Sequence, residues 1–212
     1  KNLDDKKIET FYLSGKGTML QIKNTLRRCN EWDTLNRKDC MEYGCGVGRV
    51  TIHLANEFEH ITALDISQGH LELAQQRIHT LGIKNITLQR IDSLDLLACL
   101  PKYDFIFTVI VLQHNPPPII AMLIERFFQL LKNNGVVMFQ VPVQMAEYRF
   151  TMAEYLANMN NNEGKEMHML PQNVILEIAR RNNCYLLEVH NDNSTGAPDI
   201  FVSQMFVFKK EG

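Results

Sequence analysis

The sequence predicts an α/β fold, with a doubly wound, mostly parallel seven-stranded sheet that ends in an antiparallel C-terminal strand pair. Three observations carry this prediction. Short apolar runs alternate with longer amphipathic ones along most of the chain, a rhythm that goes with right-handed parallel crossovers. A glycine-rich turn leads from the first apolar run straight into a helical pattern. The last two runs are joined by a turn-rich segment too short for a confident crossover helix, so they pair antiparallel.

Each element has its own signal. Near the start, Phe11-Tyr12-Leu13-Ser14-Gly15 precedes an amphipathic helix over 18–29, and residues 1–30 read as an N-terminal helical segment that packs on the sheet or closes as a lid. The first strand covers 40–43, and the helix after it covers 49–57, with Val50, Leu54 and Phe58 at helical spacing. Residues 61–64 form the second strand, ended by Asp65. Ser67 caps a helix through Thr80 that presents Leu71, Ala74 and Ile78 on one face and stops at Leu81-Gly82. Residues 86–91 alternate as a strand and end at Asp92, ahead of a helical turn over 94–97. Residues 105–111 are almost continuously apolar, as a strand buried on both faces should be. Prolines 116–118 introduce a helix over 119–131 that Asn133-Asn134-Gly135 close, and 136–141 form the next strand, stopped by Pro142. The rhythm breaks over 142–171, then resumes with a helix near 173–181 and strands over 185–189 and 205–208. With no repeat and no linker, 1–212 reads as one domain.

Composition narrows the function. Lys+Arg number 22 against 24 Asp+Glu, a formal charge of −2, so a broad cationic surface for nucleic acid or anionic lipid is not expected. The five cysteines are scattered and hold no C-x-x-C pair, which argues against a disulfide framework or a zinc site and suits a reducing compartment. The seven histidines show neither H-x-x-x-H nor H-E-x-x-H spacing, so no metal site is expected. No apolar run approaches the roughly 20 residues of a membrane span, and no signal segment opens the chain. A cytoplasmic location is the expectation.

Glu42-Tyr43-Gly44-Cys45-Gly46-Val47-Gly48-Arg49 is the most informative segment. Glycines there permit a tight turn and close approach of backbone to a ligand, and the following helix offers unpaired N–H groups. Asp65, at the end of the next strand, stands where a carboxylate accepts from ribose hydroxyls. Two nucleotide cofactor classes fit. A dinucleotide fingerprint wants a third glycine where Arg49 stands, and the last glycine comes one place early at Gly48.

The segment resembles motif I of the class I S-adenosylmethionine (SAM) methyltransferases, an acid followed by G-x-G-x-G, with Glu42 as the acid. The resemblance runs over roughly 40–141, and the closing strand pair matches that fold's antiparallel end. It implies a SAM cofactor, with S-adenosyl-L-homocysteine as product. By the same resemblance, Gly44, Cys45 and Gly46 wrap the methionine part and Glu42 lies near its amino group. Asp65 then holds the ribose hydroxyls, Ile66 lies against adenine, Asp92 accepts from the adenine amino group with Ser93 beside it, and Thr108 and Val109 lie under the methionine end. Read alone, Asp92 is also a plausible helix cap.

Residues after the fourth strand should face the transferable methyl group. Asn115-Pro116-Pro117 is similar to the motif of adenine-amino methyltransferases, but Pro118 stands where that motif has a stacking aromatic, and the motif begins several residues beyond Thr108. Nucleic acid is therefore not the expected acceptor. His114 can take a proton from an oxygen or nitrogen acceptor, or fix its loop through a backbone hydrogen bond. The 142–171 insertion reads as an acceptor-side cap. It holds Tyr148, Arg149, Phe150, Tyr155, Glu166 and His168 with Met145, Met152, Met159, Met167 and Met169, an adaptable apolar wall or simply core. Arg149 or His168 would fix a polar group, with Tyr148 and with Gln140 at the strand end beside them.

The leading expectation is a SAM-dependent methyltransferase acting on an O or N atom of a small molecule: a metabolite, a sugar or a natural-product intermediate. An NAD-dependent oxidoreductase is the second reading, with Arg49 and the C-terminal strand pair against it. A SAM-binding module without turnover is the third.

Overall fold

The computed structural model describes residues 4–93, 95–158 and 166–212. Seven strands run in the order β3-β2-β1-β4-β5-β7-β6. They are β1 (Asp39–Tyr43), β2 (His60–Asp65), β3 (Ile86–Arg90), β4 (Tyr103–Thr108), β5 (Leu131–Met145), β6 (Cys184–Asp192) and β7 (Phe201–Lys210). The pairs among β1 to β5 are parallel, whereas β7 runs antiparallel between β5 and β6. The helices are α1 (Asp5–Arg28), α2 (Thr51–Leu54), α3 (Gln68–Thr80), α4 (Asp95–Ala98), α5 (Pro117–Leu130), α6 (Met152–Asn158) and α7 (Gln172–Arg181).

Two layers of core follow from strand alternation. Met41, Ile106, Val137, Phe139 and Phe206 face α5 and α7, whereas Cys40, Phe105, Phe107, Val136, Met138 and Val207 face α1 and α2. Phe139 stacks with Phe206 and Phe208 at centroid distances of 5.5 and 5.9 Å, pairs of a kind that add about 0.5–1.5 kcal/mol each beyond area burial. The antiparallel end of the sheet is thereby held by aromatics that α5 covers.

Several boundaries differ from the sequence pattern, each for a visible reason. The N-terminal helix starts at Asp5, not 18, because Asp4 caps it through a 3.2 Å bond from Lys6 N. Phe11, Tyr12 and Gly15 thus lie within α1, which packs on the glycine turn: Tyr12 Oη donates to the Val47 carbonyl at 3.1 Å. Gly15 is the point of closest approach, since a Cβ there would sit 1.9 Å from the Arg49 carbonyl oxygen. Glycine in a helix interior costs about 1 kcal/mol relative to alanine, but only glycine fits this crossing. The helix expected over 49–57 shortens to Thr51–Leu54, flanked by turns.

The run over 105–111 stops as a strand at Thr108, since Ile110 adopts a left-handed backbone with φ of 60°. Asn133-Asn134-Gly135 do not close α5; the helix ends at Leu130 and these residues fall inside β5, with Asn134 at φ 61°. Leu94, which opens the turn expected over 94–97, lies outside the described residues, and α4 begins at Asp95. Within the 142–171 segment, β5 continues to Met145, α6 follows, and Met159 lies outside the described residues. Among the described residues no helix is long and apolar enough to cross a membrane.

Candidate cofactor and acceptor site

The carboxyl ends of β1, β2 and β4 meet around the glycine turn. Gly44 follows β1 with φ of 76°, and its N–H donates to the Leu64 carbonyl at 2.7 Å. A Cβ at Gly44 would lie 2.2 Å from Val111 Cγ2, so the residue is required by packing as well as by backbone. Gly46, at φ 55°, differs: a Cβ there would meet no atom within 4 Å and would project into open space. That is the cradle expected where a ligand approaches the backbone.

Asp65 ends β2 and ties the turn together. Its Oδ2 accepts from Gly46 N and its Oδ1 from Ser67 N, each at 2.8 Å. Ser67 caps α3 by accepting from His70 N at 3.3 Å. Each carboxylate oxygen retains a lone pair for a further donor. Asp65 and Ile66 line a cavity of about 730 Å³ together with Gly44, Gly46, Ile91 and His114. Ile66 is 72% exposed on this wall, an apolar surface with no protein partner over most of its area. Asp92 and Ser93 follow Ile91 and are exposed.

A narrower cleft of about 190 Å³ adjoins it, between the glycine turn and Val109–Ile110, with Glu42 and Arg49 in its walls. Glu42 is buried at the end of β1, and Thr51 Oγ1 donates to its Oε2. Burial pushes its carboxyl up to about 7, and the Thr51 bond and the nearby Arg49 charge only partly oppose that. Arg49 donates to Thr18 Oγ1 at 3.1 Å and to Ser14 Oγ at 3.4 Å and makes no ion pair among the described residues. Sequence reasoning used Arg49 only as a missing glycine; a cation one turn after a buried acid was the signal available. Cys45 is buried beside them, and burial raises its thiol far above the ordinary range, so it packs and does not attack. Thr108 is buried at the end of β4, with an Oγ1 that has no hydrogen-bond partner among the described residues.

The residues expected on the acceptor side are placed differently. Gln140 is wholly buried and all of its polar atoms are engaged. Its Oε1 accepts from Ile110 N at 2.9 Å, and its Nε2 donates to Gln113 Oε1 at 2.9 Å and to Ser203 Oγ at 2.7 Å. His114 is exposed on the wall of the larger cavity, with Nδ1 donating to the Glu166 carbonyl at 3.0 Å. His168 is buried, bonded to Tyr148 Oη at 2.8 Å and to Glu166 Oε2 at 3.1 Å, with Phe150 and Tyr155 edge-on to its ring. Arg149 is exposed. Tyr155 and Glu166 reach the cavity wall, whereas Gln140, Tyr148, Arg149 and His168 line none of the cavities described here. Among the described residues no cluster of His, Cys, Asp and Glu could hold a metal ion.

A parallel sheet in this order, closed by an antiparallel hairpin, is the Rossmann-like fold that solved class I methyltransferases share. Residues 40–135 match the family model described as a methyltransferase domain. Over those residues the chain is similar to SAM-dependent methyltransferases. Magnesium protoporphyrin IX methyltransferase from Synechocystis, solved with bound S-adenosylhomocysteine, shares the fold with a TM-score of 0.66 at 19% identity, over 100% of this chain and 90% of that one.

Among curated proteins, a tRNA/tmRNA (uracil-C(5))-methyltransferase of Campylobacter lari is 36% identical over 106 residues, 47% of this chain and 31% of its own length. A ubiquinone biosynthesis O-methyltransferase of Coxiella burnetii is 26% identical over 151 residues, 69% of this chain and 63% of that protein. The chain spans between 21% and 45% of the length of the first three curated relatives.

Proposed function

We propose that the chain transfers the methyl group of SAM to an O or N atom of a small molecule. The observation that carries this reading is the pair of adjoining spaces at the glycine turn, one for each half of the donor. The larger offers Asp65 to ribose hydroxyls and the apolar faces of Ile66 and Ile91 to adenine. The narrower sets on its walls a buried acid, Glu42, and Arg49, a cation with no ion pair among the described residues. These are complementary to the ammonium and carboxylate of an amino acid, as oppositely charged groups in a desolvated cleft should be. Gly46 leaves room for the backbone approach. When bound, SAM supplies an electrophilic methyl on a sulfonium. The chain's part is to hold the reactants in line, exclude water and accept the acceptor's proton.

The formal charge of −2 supports a small acceptor over a polyanion. The tRNA-modifying relative names the competing class, so bulk tRNA belongs in every assay.

Calorimetric titration with SAM, S-adenosylhomocysteine and NAD tests the donor. Heat with the first two and none with NAD is expected, and the reverse sinks the reading. Asp65→Ala should weaken SAM binding at least about tenfold, because charge-assisted bonds contribute about 1.5–3 kcal/mol. Unchanged affinity removes Asp65 from the ribose.

A further inference from the structure

On the other side of Val109 and Ile110 lies a third space, of about 590 Å³, between α1, the carboxyl ends of β4 and β6, and Met138 of β5 and Met205 of β7. Met138 and Met205 contribute apolar surface, Gln21 and Asn24 come from α1, Asn191 from the end of β6 and Asn193 from the β6–β7 connection. It shares Arg49, Val109 and Ile110 with the cleft assigned to the amino-acid end of the donor, so it opens beside the position of the reacting methyl.

His190 stands in its wall. The buried Nδ1 of its ring lies 2.9 Å from Glu188 Oε1, which leaves the Nε2 edge as the exposed part of a side chain 40% accessible. Glu188 is itself fixed, since Arg28 donates to it through both Nε, at 3.0 Å, and a terminal nitrogen. An arginine clamps a carboxylate, and the carboxylate lies 2.9 Å from one ring nitrogen without a hydrogen bond to it, close enough to stabilise the imidazolium. The other nitrogen has no partner among the described residues. Of the remaining charges on this wall, Arg49 is the one assigned above to the donor's carboxylate, and the others are engaged within the protein. Asp192 accepts from Ser194 N at 2.6 Å and from Ser203 Oγ at 3.1 Å, and Arg28 is held by Glu188. Asn191 accepts from Gln204 Nε2 at 3.1 Å, and the amides of Gln21, Asn24 and Asn193, each both donor and acceptor, are left to read the ligand and match hydroxyl groups.

Resting on the transfer reading above, we propose that this cavity takes the acceptor, that the acceptor is an uncharged hydroxyl-bearing small molecule, and that His190 takes its proton with Glu188 as a positioning residue. The acceptor O–H bond breaks and its proton passes to Nε2. The oxygen lone pair forms the new O–C bond to the methyl, and the C–S bond breaks with its electron pair left on sulfur. The products are a methyl ether and S-adenosylhomocysteine, and the imidazolium returns its proton to solvent.

The test uses the whole chain with methyl-labelled SAM. Its probes are methyl glucoside, inositol and catechol as uncharged hydroxyl compounds, against glucuronate, spermidine and bulk tRNA. Label should enter an uncharged member. His190→Ala should lower kcat for that compound at least about hundredfold, the range of general-base contributions, with SAM affinity by calorimetry within about twofold, and added imidazole should restore part of the rate. Glu188→Gln should lower kcat by about tenfold with KM unchanged, as loss of ring orientation predicts. In the wild type held with S-adenosylhomocysteine, the His190 ring resonances should shift when the same compound is added.

Label confined to charged probes, or in none of the uncharged ones, overturns the acceptor class. Unaltered turnover in His190→Ala, loss without imidazole rescue, or unmoved His190 resonances overturn the base. Absence of SAM binding heat in the wild type defeats the transfer reading instead, so the two failures are distinct.

Discussion

The two flanks of Ile110 are built from different materials. On the donor side the walls are backbone and short side chains from the ends of adjacent strands: Gly44 and Gly46 after β1, Asp65 and Ile66 at the end of β2, Ile91 after β3. Asp65 binds groups close in sequence or directly across a parallel pair, at Gly46 and Ser67. On the other side the walls come from residues as distant as Gln21 in α1 and Met205 in β7. The floor of the first flank is local and dictated by turn chemistry, with His114, Tyr155 and Glu166 added from further along the chain; the second flank exists only once the chain has folded. Backbone-built sites tolerate sequence change around them, whereas side-chain-built sites are where specificity resides.

This contrast can be broken at its sharpest point by a pair of glycines. Gly44→Ala forces a Cβ to 2.2 Å from Val111 at a left-handed backbone, so a loss of about 3 kcal/mol or more in folding stability is expected from overpacking plus strain, read by urea melts. Gly46→Ala meets no protein atom and should cost only about 1–2 kcal/mol in folding, yet its methyl enters the donor cleft and SAM affinity should fall at least about tenfold. Equal stability losses in the two variants, or intact SAM affinity in Gly46→Ala, would remove the distinction between a packing glycine and a ligand glycine.

Gln140→Ala tests the wall between the flanks. It strips partners from Ile110 N, Gln113 and Ser203 together, so a destabilisation of about 2–4 kcal/mol is expected from buried groups left unsatisfied. A milder Gln140→Glu change that preserves stability would show that the network is not what fixes the wall.

The smallest expected effect concerns Glu42. Burial raises its carboxyl from 4.5 to about 7, so the folded state keeps its proton between those values while the unfolded state has lost it. Stability of the ligand-free protein should therefore fall as pH rises through that window and stay lowered above pH 7. Glu42→Gln should flatten this dependence and gain about 1–3 kcal/mol at pH 8, while weakening SAM binding. Parallel urea melts at pH 5 and 8 decide the matter, and identical slopes for both proteins would refute the buried-acid account.

How much was legible in the sequence follows the same division. The turn from Glu42 to Gly48, the β2 carboxylate and the Ser67 cap are short-range patterns with one conformational solution, and the doubly wound sheet with its antiparallel closing pair follows from the strand–helix rhythm. Helix α1 was half legible, because Gly15 and Ser14 look like a break until the close crossing at Arg49 explains them. Gln140 reads as a polar residue at a strand end, and only tertiary packing shows that its amide is used up internally. His190 was not legible. It is one histidine in an alternating strand, and the carboxylate that orients it is clamped by Arg28, 160 positions away in the chain.

Ile110 itself has a thermodynamic consequence. A β-branched residue at φ 60° occupies a backbone state costing about 1–2 kcal/mol, and the Gln140 bond to its N–H offsets that. Its side chain is a common partition of all three spaces. With donor and acceptor in these spaces as proposed, any relaxation of this residue when one compartment fills alters the volume of the others and links the two affinities. Linkage is symmetric: whatever factor the donor contributes to acceptor binding, the acceptor returns to the donor.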